Sequence, residues 1–402
     1  MTPAVSASPS PAGPAPPPAP PAPSAGTLLV LSARMGAGHD TVAAELVRRA
    51  RERGADAVTA DVLDLLPYRL GAGLRHFYRT SVRHLPWAYA ALYRLFLRPG
   101  PGRRPGDTAL ARLAGRRLRD LVDRTGADVV VPVFHVGAQI TGHLRARGEL
   151  PVPSVVLVID FLVHRQWLHP GNDQYLCLTE DAARQVREGI GASAAVCGPV
   201  VAPGFTEGTG AEGWRRLFAR HAPGRPPVLL SSGAWGVASR LDTTVRMLAG
   251  HGFLPVVLCG TNERLRRELS GVPGVLALGW VTDMPGLLHA ARALVDNAAG
   301  QTAVQALAAG LPVVGHRPIP GHGADGVRRM AALGLTEAAP DGPALLAALR
   351  RLTAGGPLRR ERIAAGQALF RDDPVTLALA LAGHRREPVT VRDPRAPGQG
   401  ST

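Results

Sequence analysis

An apolar run, Leu28-Leu29-Val30-Leu31, breaks at Ser32 into a stretch containing Gly36-Ala37-Gly38-His39, and a helical pattern follows from Thr41. A strand with no polar alternation suits a sheet covered on both faces, so this one unit already demands a parallel sheet clothed in helices. The glycines let the backbone turn tightly and approach a ligand closely. The helix after them offers unpaired N–H groups at the positive end of its dipole. The unit predicts a crevice at the carboxyl edge of a parallel sheet, with the titratable imidazole of His39 inside it.

The same unit recurs. Strands are expected at 27–31, 57–60, 128–133, 154–159 and 175–178, with helices over 41–53, 107–124 and 180–189. Gly198-Pro199-Val200-Val201-Ala202-Pro203-Gly204 interrupts the alternation. It restarts with strands at 228–231, 254–258, 275–278, 293–295 and 311–315, and helices over 239–249, 301–309, 345–352 and 374–383. At 402 residues, 46% of them hydrophobic, the chain exceeds one ordinary core. The expectation is therefore α/β, with two doubly wound Rossmann-like domains facing each other across a cleft. The first domain is placed at 27–203, the second at 204–372 and a closing helix at 373–384. Residues 1–26, a Pro/Ala-rich arm, and the tail 385–402 are expected to be disordered.

The arm has neither the basic start nor the apolar core of a secretory signal. No segment reaches about 18 uncharged apolar residues, so no membrane span is expected. Cys177, Cys197 and Cys259 lack metal-ligand spacing and fit small buried residues of a reduced, cytosolic protein. All 46 Lys+Arg positions are arginine, which excludes a Schiff-base lysine and the Gly-x-x-x-x-Gly-Lys phosphate loop.

The net charge of +15 is lopsided, with +10 of it carried by residues 69–124. Tyr68, Phe77, Tyr78, Trp87, Tyr89, Tyr93 and Phe96 lie within or beside this block. Basic and aromatic residues interleaved on helices suit anionic lipid headgroups. Nucleic acid and a plain solvated face are the competing readings. The apolar residues around Trp87 favour the membrane surface over both.

Functional side chains in such sheets belong at the carboxyl ends of strands. Those positions hold His39, His135, Asp160, His164, the loop Ser232-Gly233-Ala234-Trp235-Gly236, Asn262, Asp283, Gly300 and His322. His164 and His169 miss the spacing that puts both on one helical face, and no Glu or Cys completes a zinc site. No Gly-x-Ser-x-Gly elbow supports a hydrolase.

The order of these motifs resembles the monogalactosyldiacylglycerol synthase and diacylglycerol glucosyltransferase group, over about residues 27–384. Gly36-Ala37-Gly38-His39 is similar to the group's Gly-Gly-Gly-His loop, and Asp61-Val62-Leu63-Asp64-Leu65-Leu66-Pro67 with Arg83-His84-Leu85-Pro86-Trp87 to its acceptor region. Asp160-Phe161 with His164, Trp167, His169 and Pro170 matches a further stretch. So do Cys259-Gly260-Thr261-Asn262, Gly279-Trp280-Val281-Thr282-Asp283-Met284 and Pro318-Ile319-Pro320-Gly321.

The resemblance implies a GT-B fold of glycosyltransferase family 28 type. It implies an inverting, metal-independent transfer from a nucleoside-diphosphate sugar, with UDP the expected nucleotide, to a lipid hydroxyl, with no cofactor beyond that co-substrate. The first domain would face acceptor and membrane, and the second would hold the donor. His39 is the first candidate base and Asp160 the second. Gly36, Gly38, His135, His164 and Trp87 fall on the acceptor side. Ser232, Gly233, Gly236, Asn262, Val281, Asp283, Gly300, Gln301, Thr302, Gln305, Gly321 and His322 fall on the donor side. The implied location is cytoplasmic, peripheral to the inner face of the cell membrane, with no nucleic-acid partner.

Departures cluster in the donor half. The group's Lys-Pro-Gly-Gly stands as Asn297-Ala298-Ala299-Gly300, its helical Glu as Gln305, and its Gly-Gln-Glu…Asn run as Gly321-His322-Gly323…Gly326. They leave the nucleotide and the sugar open. Two alternatives remain at this level: a nucleotide-sugar epimerase on the same fold, and a lipid-surface-binding homologue with weakened donor chemistry.

Overall fold

A computed structural model of the chain describes residues 26–84, 107–232 and 240–382. The arm before Gly26, the tail, residues 383–384 of the expected closing helix, Trp87, Gly233 and Gly236 lie outside the described residues.

The chain opens with β1 (Thr27–Ser32), α1 (Ala37–Glu52) and β2 (Asp56–Asp61), which pairs parallel to β1. Next come α2 (Leu70–His84), α3 (Asp107–Thr125) and β3 (Val129–Pro132), which takes the other side of β1. After α4 (His135–Ala146) the chain forms β4 (Val155–Val158), β5 (Gln174–Cys177), α5 (Glu180–Ile190) and β6 (Ala194–Val196). A parallel bridge between Val130 and Ser154 joins β3 to β4, so the strands run β2-β1-β3-β4-β5-β6.

The second half begins with α6 (Ala211–His221), β7 (Pro227–Ser231), α7 (Leu241–Gly250), β8 (Leu254–Leu258), α8 (Glu263–Ser270) and β9 (Leu276–Leu278). It continues through α9 (Met284–Ala290), β10 (Ala293–Asp296), α10 (Gln301–Ala308), β11 (Val313–His316), α11 (His322–Ala332) and β12 (Thr336–Ala339). Three helices close it: α12 (Gly342–Thr353), α13 (Pro357–Gln367) and α14 (Pro374–Leu379). Its sheet order, β12-β11-β10-β7-β8-β9, is the doubly wound order, which reverses between β7 and β10.

Burial explains why the strands read as unbroken apolar runs. Leu28 and Val30 pack on one face of the first sheet with Val42 and Leu46 of α1 and Val375 and Ala378 of α14. Leu29 and Leu31 pack on the other with Leu118 of α3 and Ile140 of α4. Each such side chain contributes about 1.5–3 kcal/mol by leaving water. The three cysteines are buried.

The structure departs from the sequence reading in places. The first helix starts at Ala37, so Gly38 and His39 belong to its first turn and not to the loop before it. Gly36 is its extended N-cap, and Asp40 in the first turn accepts from Ser32 Oγ at 2.8 Å. The strands β6 and β12 went unread because Ala194-Ala195-Val196 and Thr336-Glu337-Ala338-Ala339 are short, half-exposed edge strands without an apolar run. The last helix stops at Leu379.

Two ion pairs pin α11 to the first half: His322 with Asp160, and Arg329 with Asp181 of α5. The other flank of α11 lies against residues 297–299. A Cβ on Gly323 would sit 2.9 Å from Asn297 O, and one on Gly326 would sit 2.8 Å from Ala299 Cβ. Ala299 itself is left-handed, with φ 52°. Its methyl therefore fills the space that the missing side chain of Gly326 leaves. Gly326→Ala is expected to lower stability by about 1–3 kcal/mol in urea denaturation, and Ala299→Gly in the same chain to restore most of it. An unchanged midpoint in the single variant would contradict this packing.

Candidate active site

His39 is placed by two elements that meet at the reversal point of the first sheet. The first turn of α1 presents it, and its Nδ1 lies 2.9 Å from Val133 O just beyond β3. A carbonyl only accepts, so Nδ1 carries the proton and Nε2 keeps its lone pair. Phe134 meets the imidazole edge-on, with centroids 5.0 Å apart. Burial pushes the imidazole pKa down, more than the charge of Asp160 raises it, and His39 is neutral at pH 7.

Asp160 follows β4 and gathers three partners. Trp167 Nε1 donates to its Oδ2 at 2.8 Å, His164 Nε2 stands 3.7 Å from the same oxygen, and His322 Nε2 stands 3.3 Å from Oδ1. Burial raises the carboxyl pKa, but the charge and hydrogen bond of His322, with His164 and Trp167, outweigh it and hold Asp160 below the usual carboxylate range. Burial pushes His164 down to about 3 against the pull of Asp160, and its buried Nδ1 has no partner. His135, the first residue of α4, packs its ring 5.1 Å from His164. Burial, then His164 and His39, drive its pKa well down. For His322 burial acts downward, but Asp160 prevails and raises it. The cluster thus holds one carboxylate, one imidazole biased toward the cation and three neutral imidazoles. A carboxylate held so firmly ionised is a weak base, which leaves His39 the better of the two candidates.

The second half of the chain meets this cluster at α10. Gly300 caps that helix with extended backbone and no side-chain hydrogen bond, and open space surrounds the position of its absent Cβ. Thr302 lies in the helix's first turn, and Gln305 is buried farther along it. Gln301 Nε2 donates to Val200 O at 2.8 Å, and its Cβ would be 3.3 Å from a Cβ on Gly38. Gly38 is therefore glycine because the opposite domain comes down on it.

Asp296, buried at the end of β10, accepts from the N–H of Ala298 at 3.0 Å and of Ala299 at 2.6 Å. It sets the backbone that leads into α10, and burial raises its pKa. Sequence reasoning missed it, although an Asp closing a strand just before a turn is the available signal.

Other expected donor residues serve the scaffold. Ser232 Oγ donates to Leu258 O at 2.5 Å, and Asn262 caps α8 by accepting from Leu265 N at 3.1 Å. Asp283 caps α9, accepting from Gly286 N at 3.0 Å and from Trp214 Nε1 at 2.9 Å. Val281 packs against the core, and Gly321, with φ 84°, turns the chain into α11. His169 is buried, with Nδ1 accepting from Gly171 N at 3.0 Å.

In the first half, Arg34 and Arg75 both pair with Asp61 and Asp64, which seats α2 on the turn after β2. A Cβ on Gly71 would meet Leu63 O at 2.0 Å, so only glycine allows that approach.

A family model described as monogalactosyldiacylglycerol (MGDG) synthase matches residues 39–201. A processive diacylglycerol beta-glucosyltransferase of Staphylococcus epidermidis is 22% identical over 73% of this chain and 76% of its own length. One of Bacillus subtilis is 25% identical over 52% of this chain and 56% of its own length. The chain is a glycosyltransferase similar to the monogalactosyldiacylglycerol synthase and diacylglycerol glycosyltransferase group. Its fold is GT-B: the solved calicheamicin glycosyltransferase superposes with a TM-score of 0.55 at 18% identity, covering 86% of this chain and 93% of that one.

The His322–Asp160 pair makes the glycosyltransferase's stability depend on pH. A raised imidazole stabilises fully below its ordinary pKa, about 6.5, and the contribution is lost as pH rises through the raised value. A depressed carboxyl stabilises above about 4 and is lost as pH falls through its lowered value. The pair is intact between about pH 4 and 6.5. His322→Gln should therefore lower the Tm at about pH 6 and leave it close to wild type at about pH 9. An equal loss at both pH values would contradict an ionic pair.

Proposed function

We propose that the enzyme transfers a hexose from a nucleoside-diphosphate sugar, UDP-linked in the first instance, to the hydroxyl of a diacylglycerol-like lipid, with inversion and without a metal ion. The observation that carries this reading is the position of His39. Its free Nε2 lone pair lies on the first turn of α1, against which the open N-terminus of α10 is packed. The acceptor hydroxyl would give its proton to Nε2 as its oxygen bonds to the anomeric carbon. The bond to the diphosphate breaks, its electron pair passes to the phosphate oxygen, and the N–H groups after Gly300 stabilise the charge. A base on one flank and a leaving group on the other give a single displacement, hence inversion. Asp160, fixed as a carboxylate, stabilises the imidazolium that forms.

The lipid acceptor is supported by the names of the Staphylococcus epidermidis and Bacillus subtilis relatives, and glucose is the first sugar to test. Leu70, Leu74 and Phe77 are exposed along one face of α2, next to a fully exposed Tyr68. Such a face among arginines suits insertion into an anionic headgroup layer. No helix among the described residues is long and apolar enough to cross a membrane. Peripheral attachment to the inner face of the cell membrane accords with these features.

The test is transfer of labelled hexose from UDP-glucose or UDP-galactose to diacylglycerol in anionic vesicles. His39→Ala should lower kcat about 10²–10⁴-fold while the donor KM stays near wild type. No transfer from any common nucleotide sugar would overturn the reading, and equal losses in kcat and donor affinity would remove His39 from the role of base.

A further inference from the structure

The segment that leads into α10, Asn297-Ala298-Ala299-Gly300, contains no basic side chain, although a diphosphate there brings negative charge. Arg317, just after β11, donates from Nη1 to Arg240 O at 3.1 Å and Thr244 Oγ1 at 3.3 Å. The first residue of α11 is His322, and α11 packs on this very segment through Gly323 and Gly326. His322 also reaches across the cleft, 3.3 Å from Asp160 Oδ1. Its imidazole, 30% exposed, is thus positioned between the donor segment and the acceptor domain.

We propose that His322 is the positioning cation for the donor diphosphate, held on Asp160 in this structure and shared with the phosphate oxygens when a nucleotide sugar binds. The inference rests on the donor reading above and names the charge which that reading leaves unassigned. A charge-assisted N–H donor suits a phosphate oxygen as well as a carboxylate, so the exchange keeps the imidazolium paired throughout. The groups facing His322 are Asp160 and His164 beyond β4, His39 on α1, His135 on α4 and Asp325 on its own helix. Only the two carboxylates favour its charge. Burial keeps the other three imidazoles neutral, so they do not compete for the proton.

The experiment is calorimetric binding of UDP-glucose and TDP-glucose to the full chain between pH 6 and pH 9, where the charge of a diphosphate diester stays constant. Wild type should lose about tenfold in affinity as the pH rises through the titration of His322. His322→Gln should bind about tenfold more weakly at pH 6 and show no such dependence, whereas His322→Arg should bind tightly and independently of pH. Arg329→Gln, which breaks the other ion pair of α11, should keep the wild-type pH profile. A pH-independent wild type, or His322→Gln with wild-type affinity at pH 6, would overturn this inference and leave the donor reading standing. Failure of wild type to bind either nucleotide sugar at any pH would overturn the donor reading itself.

Discussion

The site depends on one constraint: two sheet edges, each with its reversal point, must come within side-chain reach of each other. Gly38 permits it, since a Cβ there would already touch Gln301 of the opposite domain. Charge then fixes it, through His322 on Asp160 and Arg329 on Asp181, both extending from α11. The return of the chain adds a third tie, because Asp373 pairs with Arg49 of α1 and α14 packs on the first sheet. With the edges so held, the first turn of α1, which carries His39, lies against the first residue of α10.

Within that frame the division of labour follows from burial and hydrogen bonding. Four histidines and one aspartate share a small volume, yet their environments push them apart, as acid–base sites require. The Val133 carbonyl takes the one ring proton of His39 and leaves the other nitrogen bare. Asp160 is held ionised by the charge and hydrogen bond of His322, with the Trp167 N–H beside it. His322 alone is biased toward the cation.

Much of the fold was legible because strands buried on both faces leave short apolar runs bounded by turns. The edge strands β6 and β12 leave none, since their pairing and not their side chains makes them strands. In the site, His39, Asp160 and His322 were legible by residue type and by their place at strand ends. That they form one cluster was not, because the contact is made between domains distant in sequence. Asn262 and Asp283 show the converse. Helix capping and ligand binding call for the same small polar residues at the same edge, and sequence alone does not separate them. The reason for Gly38 was equally hidden, as it lies in the approach of Gln301.

The central claim is that a neutral His39 presents a bare Nε2 to the acceptor. Imidazole ¹⁵N shifts of His39 in labelled protein, assigned by comparison with His39→Ala, test it most directly. At pH 7 the account predicts a protonated Nδ1 and an unprotonated Nε2. A proton on Nε2, or an imidazolium at that pH, would contradict it.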